Sequence, residues 1–143
     1  MSRTRRDFCF LLLAFAFSGA AAQDRPSASR TYRYEDLRVN VNGENRQRPI
    51  LNENTHTGFA VEVHETELAP GLAPHAPHRH EHEEMILLRE GTLEVTISGR
   101  SVTLGPGSVA LVASNEEHGW RNVGTSRARY FVIALGRENA ERK

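Results

Sequence analysis

The sequence predicts an all-β domain, built as an antiparallel barrel or sandwich, and two observations support this prediction. The first is that apolar and polar residues alternate over short segments, because a period of two is typical of strands with one buried face. The segments with this strand pattern are 59–63, 93–97, 102–104, 108–112 and 130–135. Between residues 23 and 137 no segment has the period of about 3.6 that is typical of an amphipathic helix.

The second observation is that turn-forming residues separate these segments. Gly, Pro and Asn supply the positive or fixed φ angles that tight turns need. They occur at Gly91 and in Asn42-Gly43, Pro70-Gly71, Ser98-Gly99, Gly105-Pro106-Gly107 and Asn122-Val123-Gly124. Strands spaced about ten residues apart with such turns are typical of antiparallel barrels and sandwiches. The segment 32–58 has the weakest pattern and is expected to contribute one or two edge strands.

The composition limits the size and the partners of the protein. A chain of 143 residues is expected to form one domain. Lys and Arg together number 18, and so do Asp and Glu, so the chain carries no net charge. Because nucleic-acid binding needs a basic surface, nucleic acid is not expected as a partner.

The N-terminal segment has the pattern of a secretory signal. Arginines precede the apolar run 8–17, which leads into an A-x-A cleavage pattern at 20–22. Residues 1–22 are therefore expected to be a signal peptide, which predicts a periplasmic or secreted protein. The apolar run is shorter than the roughly 20 residues that cross a bilayer, so no membrane span is expected. The mature chain is expected to consist of a flexible leader, 23–31, and a single domain, 32–143.

Two adjacent arginines favour a particular export route. Arg5 and Arg6, within Thr4-Arg5-Arg6-Asp7-Phe8, resemble the twin-arginine signal that bacteria use to export folded proteins. The alternative is the general secretory route, for which the arginines supply only positive charge. Cys9 is the only cysteine and lies inside the signal. The mature protein is therefore expected to contain neither disulfides nor thiolate metal ligands.

Histidines are concentrated in one short segment that can form part of a metal site. His75, His78, His80 and His82 are crowded together, and His118 follows later in the chain. In an extended strand, residues two apart point to the same face with Cα atoms about 6.5–7 Å apart. His78 and His80 can therefore direct both imidazoles at one point, as metal ligands do.

The same parity argument selects among the neighbouring residues. Glu84 shares the face of the histidine pair, whereas Glu81 and Glu83 point away, so Glu84 is the preferred carboxylate ligand. His82 also has the matching parity, and parity alone leaves it as a rival ligand. His75 is separated from the pair by prolines and by an odd number of residues.

Around these residues the sequence resembles the first motif of the cupin family. That motif consists of a glycine, H-x-H, a glutamate and a second glycine, and it is found here as Gly71, His78, His80, Glu84 and Gly91. Six residues separate Glu84 from Gly91, as in the family. The spacer between Gly71 and His78 is one residue longer than is usual in the family.

The second cupin motif is similar but departs at two positions. The spacing of Gly107, His118 and Asn122 is kept. Ala113 stands where proline is usual, and Asn115 stands where glycine is usual. Because Asn is the non-glycine residue that best tolerates a positive φ, Asn115 is expected to preserve the turn.

The resemblance, which spans about 71–122, implies a fold, a metal and a ligand set. The fold is a jelly-roll, or double-stranded β-helix, with the metal in the mouth of the barrel. The implied ligands of one divalent transition metal ion are His78, His80, Glu84 and His118. Three imidazoles and one carboxylate suit Mn²⁺, Fe²⁺, Ni²⁺, Zn²⁺ or Cu²⁺ and leave coordination positions open. The resemblance places His82 outside the ligand set, either behind it or facing solvent.

An open metal site favours an enzyme that acts on a small oxygen-bearing molecule. Two chemistries suit it: oxygen activation by iron or copper in a dioxygenase, or Lewis-acid catalysis in an isomerase, hydrolase or lyase. The alternative is a non-catalytic module that binds a sugar or an organic acid. The sequence does not choose among them, because one fold hosts many activities.

Several other residues are candidates for the pocket or for an interface. Trp120 shares the parity of His118 and is expected to be either a pocket wall or part of the core. Residues that could contact a substrate or carry a proton are Arg48, Glu62, His64, Arg121 and Tyr130. Met85 and Leu87 have the outward parity and need cover, which the cupin resemblance suggests comes from a homodimer; the alternative is cover by the protein's own N-terminal strands.

Overall fold

Nine β-strands dominate residues 28–137, the part of the chain that the computed structural model describes. The predicted signal peptide, 1–22, and most of the predicted leader, 23–31, lie outside the described residues. A turn of 3₁₀ helix, η1 (Tyr34–Asp36), precedes the strands. The strands are β1 (Asn40–Asn42), β2 (Asn45–Asn54), β3 (Phe59–Leu68), β4 (Glu83–Glu90), β5 (Leu93–Ile97), β6 (Arg100–Leu104), β7 (Val109–Val112), β8 (His118–Asn122) and β9 (Ala128–Arg137).

The strands form two antiparallel sheets that pack against each other as a jelly-roll barrel. One sheet has the order β1-β2-β3-β9-β4-β7, and the other has the order β6-β5-β8. The predicted all-β jelly-roll class is therefore confirmed. The segment 32–58, whose pattern was weakest, supplies β1 at the edge of the larger sheet and β2 beside it. No helix in the described residues is long and apolar enough to cross a membrane.

The core lies between the two sheets and is formed by the inward-facing residues of both. On β4 the buried residues alternate with more exposed ones, as the period of two predicts. The buried apolar cluster consists of Leu68, Ile86, Leu88, Leu93, Val95, Trp120, Ala128, Tyr130 and Val132. Burial of this cluster provides the main driving force for folding.

Two turns depend on backbone conformations that few residues adopt. Gly91 has a φ of 83°, and a Cβ atom there would lie 2.6 Å from the Cα of Ala128, so only glycine fits. Asn115 has a φ of 63°, which confirms that asparagine preserves the turn where the family usually has glycine. The amide nitrogen of Asn115 donates a hydrogen bond to the carbonyl of His80 at 2.8 Å. The turn is thereby tied to the segment that carries the histidine pair.

The outer face of the larger sheet is covered only in part. The ring of Tyr34, in η1, lies over the guanidinium groups of Arg48 and Arg89 at 4.7 and 5.8 Å. Tyr34 of η1 therefore covers the outer face around Arg48 of β2 and Arg89 of β4. On β7, Val109 and Leu111 remain 58% and 62% exposed. The predicted homodimer stays a prediction.

Candidate metal centre

Three histidines converge at one end of the barrel. One potential ligand atom from each of His78, His80 and His118 lies within 4.8 Å of the others. His78 and His118 are held together by their backbones, since each amide donates to the other's carbonyl at 3.0 and 2.9 Å. This long-range contact joins the start of β8 to the segment before β4, as the cupin resemblance predicts.

Glu84 is the carboxylate that reaches the histidines. Its Oε2 atom lies 3.0 Å from Nε2 of His118 and 3.5 Å from Nε2 of His80. Glu84 is buried, whereas Glu81 and Glu83 are exposed. Glu84, rather than either neighbouring glutamate, therefore lies against the histidines, and its role as a metal ligand stays a prediction.

Hydrogen bonds to the backbone fix the orientation of two of the imidazoles. Nδ1 of His80 lies 2.9 Å from the carbonyl oxygen of His82, and Nδ1 of His118 lies 2.9 Å from that of Glu116. A carbonyl oxygen can only accept, so in both rings Nδ1 must carry the proton. With the proton on Nδ1, Nε2 is the ring nitrogen available to a metal ion, as in metal-binding histidines.

Several polar atoms of the site are buried without a hydrogen-bond partner. They are Nδ1 of His78, Oε2 of Glu84 and Nε2 of His118. Such atoms are rare in proteins, because each buried polar atom left unsatisfied costs about 1–3 kcal/mol of stability. Burial lowers the pKa of His78, and the charges of His75, His118 and His80 lower it further. The histidine is therefore held in the neutral form that binds metals, and the residues fit a divalent cation.

The segment around His82 differs from the extended strand that parity assumes. β4 begins at Glu83, and a bend at residues 81–82 separates it from His80. The bend arises because His78 pairs with His118 of the smaller sheet, whereas β4 pairs within the larger sheet. His82 is not in the converging histidine group, and its ring stacks on that of His80 with centroids 3.5 Å apart. The assumption of one continuous strand from the histidine pair to Glu84 was wrong.

Known protein families and solved structures give independent support for the fold. The sequence profile described as "Cupin domain" matches residues 64–134, about half of the chain. This match and the structural similarities given below support assignment of the chain to the cupin superfamily. No curated protein matches the sequence.

The cupin fold is also found in many solved structures. An RmlC-like cupin from Shewanella frigidimarina has a TM-score of 0.64 at 14% identity and covers 78% of this chain and 95% of its own. A predicted oxalate decarboxylase from Thermotoga maritima has a TM-score of 0.62 at 15% identity, with coverages of 75% and 99%. The polyketide cyclase RemF from Streptomyces resistomycificus has a TM-score of 0.61 at 21% identity, with coverages of 81% and 89%. At these identities the similarity shows the fold alone.

A cavity of about 240 Å³ inside the cupin barrel adjoins the histidine cluster. Glu84 forms part of its wall, together with polar and apolar residues from the inner faces of the strands. Trp120 fills both roles that the sequence suggested, since it lines the cavity and belongs to the core cluster. Its Nε1 atom donates to the hydroxyl of Tyr130 at 2.7 Å. Burial raises the pKa of Tyr130, so the phenol stays neutral.

The other candidates divide into residues on the cavity and residues away from it. Arg48 hydrogen-bonds to Glu65 and Glu67 on the outer face of the sheet. Arg121 is exposed and hydrogen-bonds to Glu94 at 2.9 Å. Neither arginine lines the cavity, whereas His64 and Tyr130 do.

Sequence reasoning missed the carbonyl oxygens of His82 and Glu116, which orient two of the imidazoles. Any residue supplies a backbone carbonyl, so the side-chain pattern carries no signal for them. It also missed the contact between His75 and His78, whose rings meet edge to face at 4.3 Å. The only available signal was the crowding of histidines, which could not give the orientation of the rings.

Proposed function

We propose that this protein is a metal-dependent enzyme that acts on a small oxygen-bearing molecule. Its metal ligands are His78, His80, Glu84 and His118, which hold one divalent transition metal ion. The observation that carries the proposal is the convergence of buried ligand atoms without hydrogen-bond partners beside a cavity. Buried polar atoms in proteins are usually paired, so the convergence of several unpaired ligand atoms at one point supports binding of an external ion.

The donor set defines the chemistry that is available. Three imidazoles and one carboxylate suit Mn, Fe, Ni, Zn or Cu, and when bound such an ion supplies either oxygen activation or Lewis acidity. The chain itself orients the imidazoles of His80 and His118 through the carbonyls of His82 and Glu116. Glu84 contributes a carboxyl group, and the indole of Trp120 provides apolar surface on the wall of the cavity.

Similar folds occur in proteins described as enzymes. One of the structures reported above is a polyketide cyclase, and another is a predicted oxalate decarboxylase. The fold is therefore one that enzymes use. It does not identify the reaction, because the same barrel serves many activities.

Metal analysis of the protein isolated from its native host is the first test of the proposed function. It is followed by measurements of oxygen uptake and product formation with a panel of small hydroxy and keto acids and sugars. Iron or copper with substrate-dependent oxygen uptake would identify a dioxygenase. Manganese, nickel or zinc with product but without uptake would identify Lewis-acid catalysis. Tight binding of a compound without any product would contradict the enzyme proposal and favour the binding module.

The ligand set has a matched pair of controls in the chain. Glu84→Gln is expected to lower metal affinity by about tenfold or more, whereas Glu83→Gln is expected to leave it unchanged, because only Glu84 reaches the histidines. Isothermal titration with the metal measures both variants. Equal losses would remove Glu84 from the ligand set. The corresponding comparison of His80→Ala with His82→Ala tests whether His82 is a ligand.

We also propose, from the sequence alone, that the protein is exported through the twin-arginine route and is periplasmic or secreted. Replacing Arg5 and Arg6 with Lys is expected to block export, as judged by fractionation of the producing cells. Export that continues with cleavage after Ala22 would indicate the general secretory route.

A homodimer is a further proposal, supported by the exposed apolar residues Val109 and Leu111 on the outer face. Light scattering measures the mass directly. A monomer at micromolar concentration would contradict it.

A further inference from the structure

Two polar residues of β3, Glu62 and His64, lie near the metal centre and are not among its proposed ligands. Strand register locates them. Glu62 is opposite Ala134 of β9, which in turn is opposite Glu84 of β4. Glu62 and Glu84 are therefore in one row across the sheet, about 10 Å apart at the backbone. His64 is two residues further along the same face and lines the cavity that Glu84 also lines.

The carboxylate of Glu62 contacts one nitrogen of the His64 imidazole. Nδ1 of His64 is buried and lies 3.3 Å from Oε1 of Glu62, an ion-pair contact that does not have hydrogen-bond geometry. The contact with His64 lowers the pKa of Glu62, and the charges of His64 and His82 lower it further. The negative charge of the Glu62 carboxylate beside Nδ1 therefore favours the tautomer of His64 with its proton on Nδ1. In the neutral ring this leaves the lone pair on Nε2 as the acceptor of His64.

Stability alone gives a weak reason for this pair. The side chain of Glu62 is 49% exposed, and ion pairs with an exposed partner contribute little to folding. The His64 side chain, in contrast, is only 16% exposed and lies on the wall of the cavity. The arrangement is better explained as a carboxylate that fixes the tautomer of a ligand-facing imidazole.

The size and charge of the cavity restrict the kind of ligand that His64 can contact. A volume of about 240 Å³ is below the roughly 300–1,000 Å³ of pockets for drug-sized ligands, so the ligand is small. A divalent ion with one carboxylate ligand, Glu84, retains one positive charge, which a ligand carboxylate would neutralise. The rest of the wall includes the cationic residue Arg46, which also favours an anionic ligand. Gln47 and Thr66 are among its polar groups, and Leu68 and Trp120 are among its apolar residues.

We propose that His64, oriented by Glu62, is the second recognition contact for the ligand and accepts a hydrogen bond at Nε2 from a hydroxyl group. The ligand class is a small hydroxy acid, with its carboxylate at the metal centre and its hydroxyl at His64. This inference rests on the proposed function, because it requires the metal ion to hold the carboxylate.

Matched pairs of probe acids test the contact by calorimetry on the zinc-loaded protein. The pairs are propionate with 3-hydroxypropionate and butyrate with 4-hydroxybutyrate, which differ only in the distal hydroxyl. In the wild type, the hydroxylated acid of at least one pair is expected to bind about fivefold to tenfold more tightly, as one hydrogen bond allows. His64→Phe keeps a ring in place and is expected to abolish this preference without changing zinc content or affinity for the plain acid.

Two further variants complete the experiment. Glu62→Gln is expected to reduce the preference in part, because the amide is a poorer acceptor for the proton on Nδ1. His56→Asn, at an exposed position remote in sequence from the ligands, is expected to leave the preference unchanged.

The result that overturns the inference is a preference that survives in His64→Phe, or the absence of any preference in zinc-loaded wild type, including no binding of the probes. Failure of the proposed function has a different signature. The wild type would then take up no metal, and both proposals would fall together.

Discussion

The larger sheet buries carboxylates on both of its faces, and the groups that surround these carboxylates differ between the two faces. On the outer face, Glu65 and Glu67 are 0% and 1% exposed. Arg48 hydrogen-bonds to both of them, Arg89 lies 3.5 Å from Glu65, and Arg129 lies 3.8 Å from Glu67. These residues form what we call the arginine cluster.

On the inner face, Glu84 meets no arginine or lysine among the contacts of the described residues. Its neighbours are His80 and His118, whose Nδ1 protons are directed to backbone carbonyls. Glu84 is therefore a buried carboxyl group without an ion pair to arginine or lysine in the described residues. The difference is that arginines of the chain itself neutralise the carboxylates of the outer face, whereas the inner site fits a cation supplied from outside the chain.

Removal of Arg48 is expected to have the largest effect on stability. Arg48→Ala leaves two buried carboxylates without their nearest cation, and breaking such a pair costs about 3–5 kcal/mol. Urea unfolding of the metal-free protein measures the loss. The control is Arg100→Ala at an exposed position, which is expected to change stability by less than about 0.5 kcal/mol. A loss below about 1 kcal/mol for Arg48→Ala would mean that the cluster is not structural.

Acid is expected to weaken the arginine cluster through Glu67. Burial alone would raise the pKa of Glu67, but the hydrogen bond and charge of Arg48 outweigh it, so the pKa is lowered from its usual 4.5. A lowered pKa stabilises the fold above the unfolded-state pKa, and that stability is lost as the pH falls through the folded-state pKa. The free energy of unfolding is therefore expected to fall below about pH 4.5 more steeply in the wild type than in Glu67→Gln. Parallel pH profiles of the two metal-free proteins would contradict this.

A smaller effect is expected at the turn that supports the inner site. Asn115→Ala places a residue with a Cβ at a positive φ without the local hydrogen bonding of asparagine, which costs about 1 kcal/mol. Asn115→Gly is expected to remain within about 0.5 kcal/mol of the wild type, because glycine adopts this φ freely. Thermal unfolding of both variants checks the difference. If both variants lose the same stability, the positive φ at this turn does not explain why asparagine is found at position 115.

The inner site was largely predictable from the sequence, and the arginine cluster was not. Alternating apolar residues located β3 and β5, and the spacing of His78, Glu84 and His118 within the two cupin motifs indicated which residues would meet. Parity did not reveal the bend at His82, because an alternating pattern does not say where a strand stops pairing with one sheet and another begins.

The arginine cluster depends on contacts that no local pattern encodes. Arg48 and Glu65 face each other only because of the register between β2 and β3, which includes an irregularity at Pro49. Tyr34 covers Arg48 from a segment with no strand pattern of its own. Sequence therefore predicted the side chains that follow a family motif and missed those brought together by pairing register.

The central claim is that the inner site binds one divalent metal ion through residues distant in sequence, and the melting temperature tests it most directly. Metal that binds only the native state at a hundredfold excess over its dissociation constant adds about 2.7 kcal/mol of stability. For a domain of this size that corresponds to an increase of about 10 °C between chelator-treated and metal-loaded wild type. His118→Ala is expected to remove most of this increase and to lower the bound metal, measured by elemental analysis, well below one ion per chain. A variant that keeps both the full increase and the full metal content would contradict the account, because His118 would then not be a ligand.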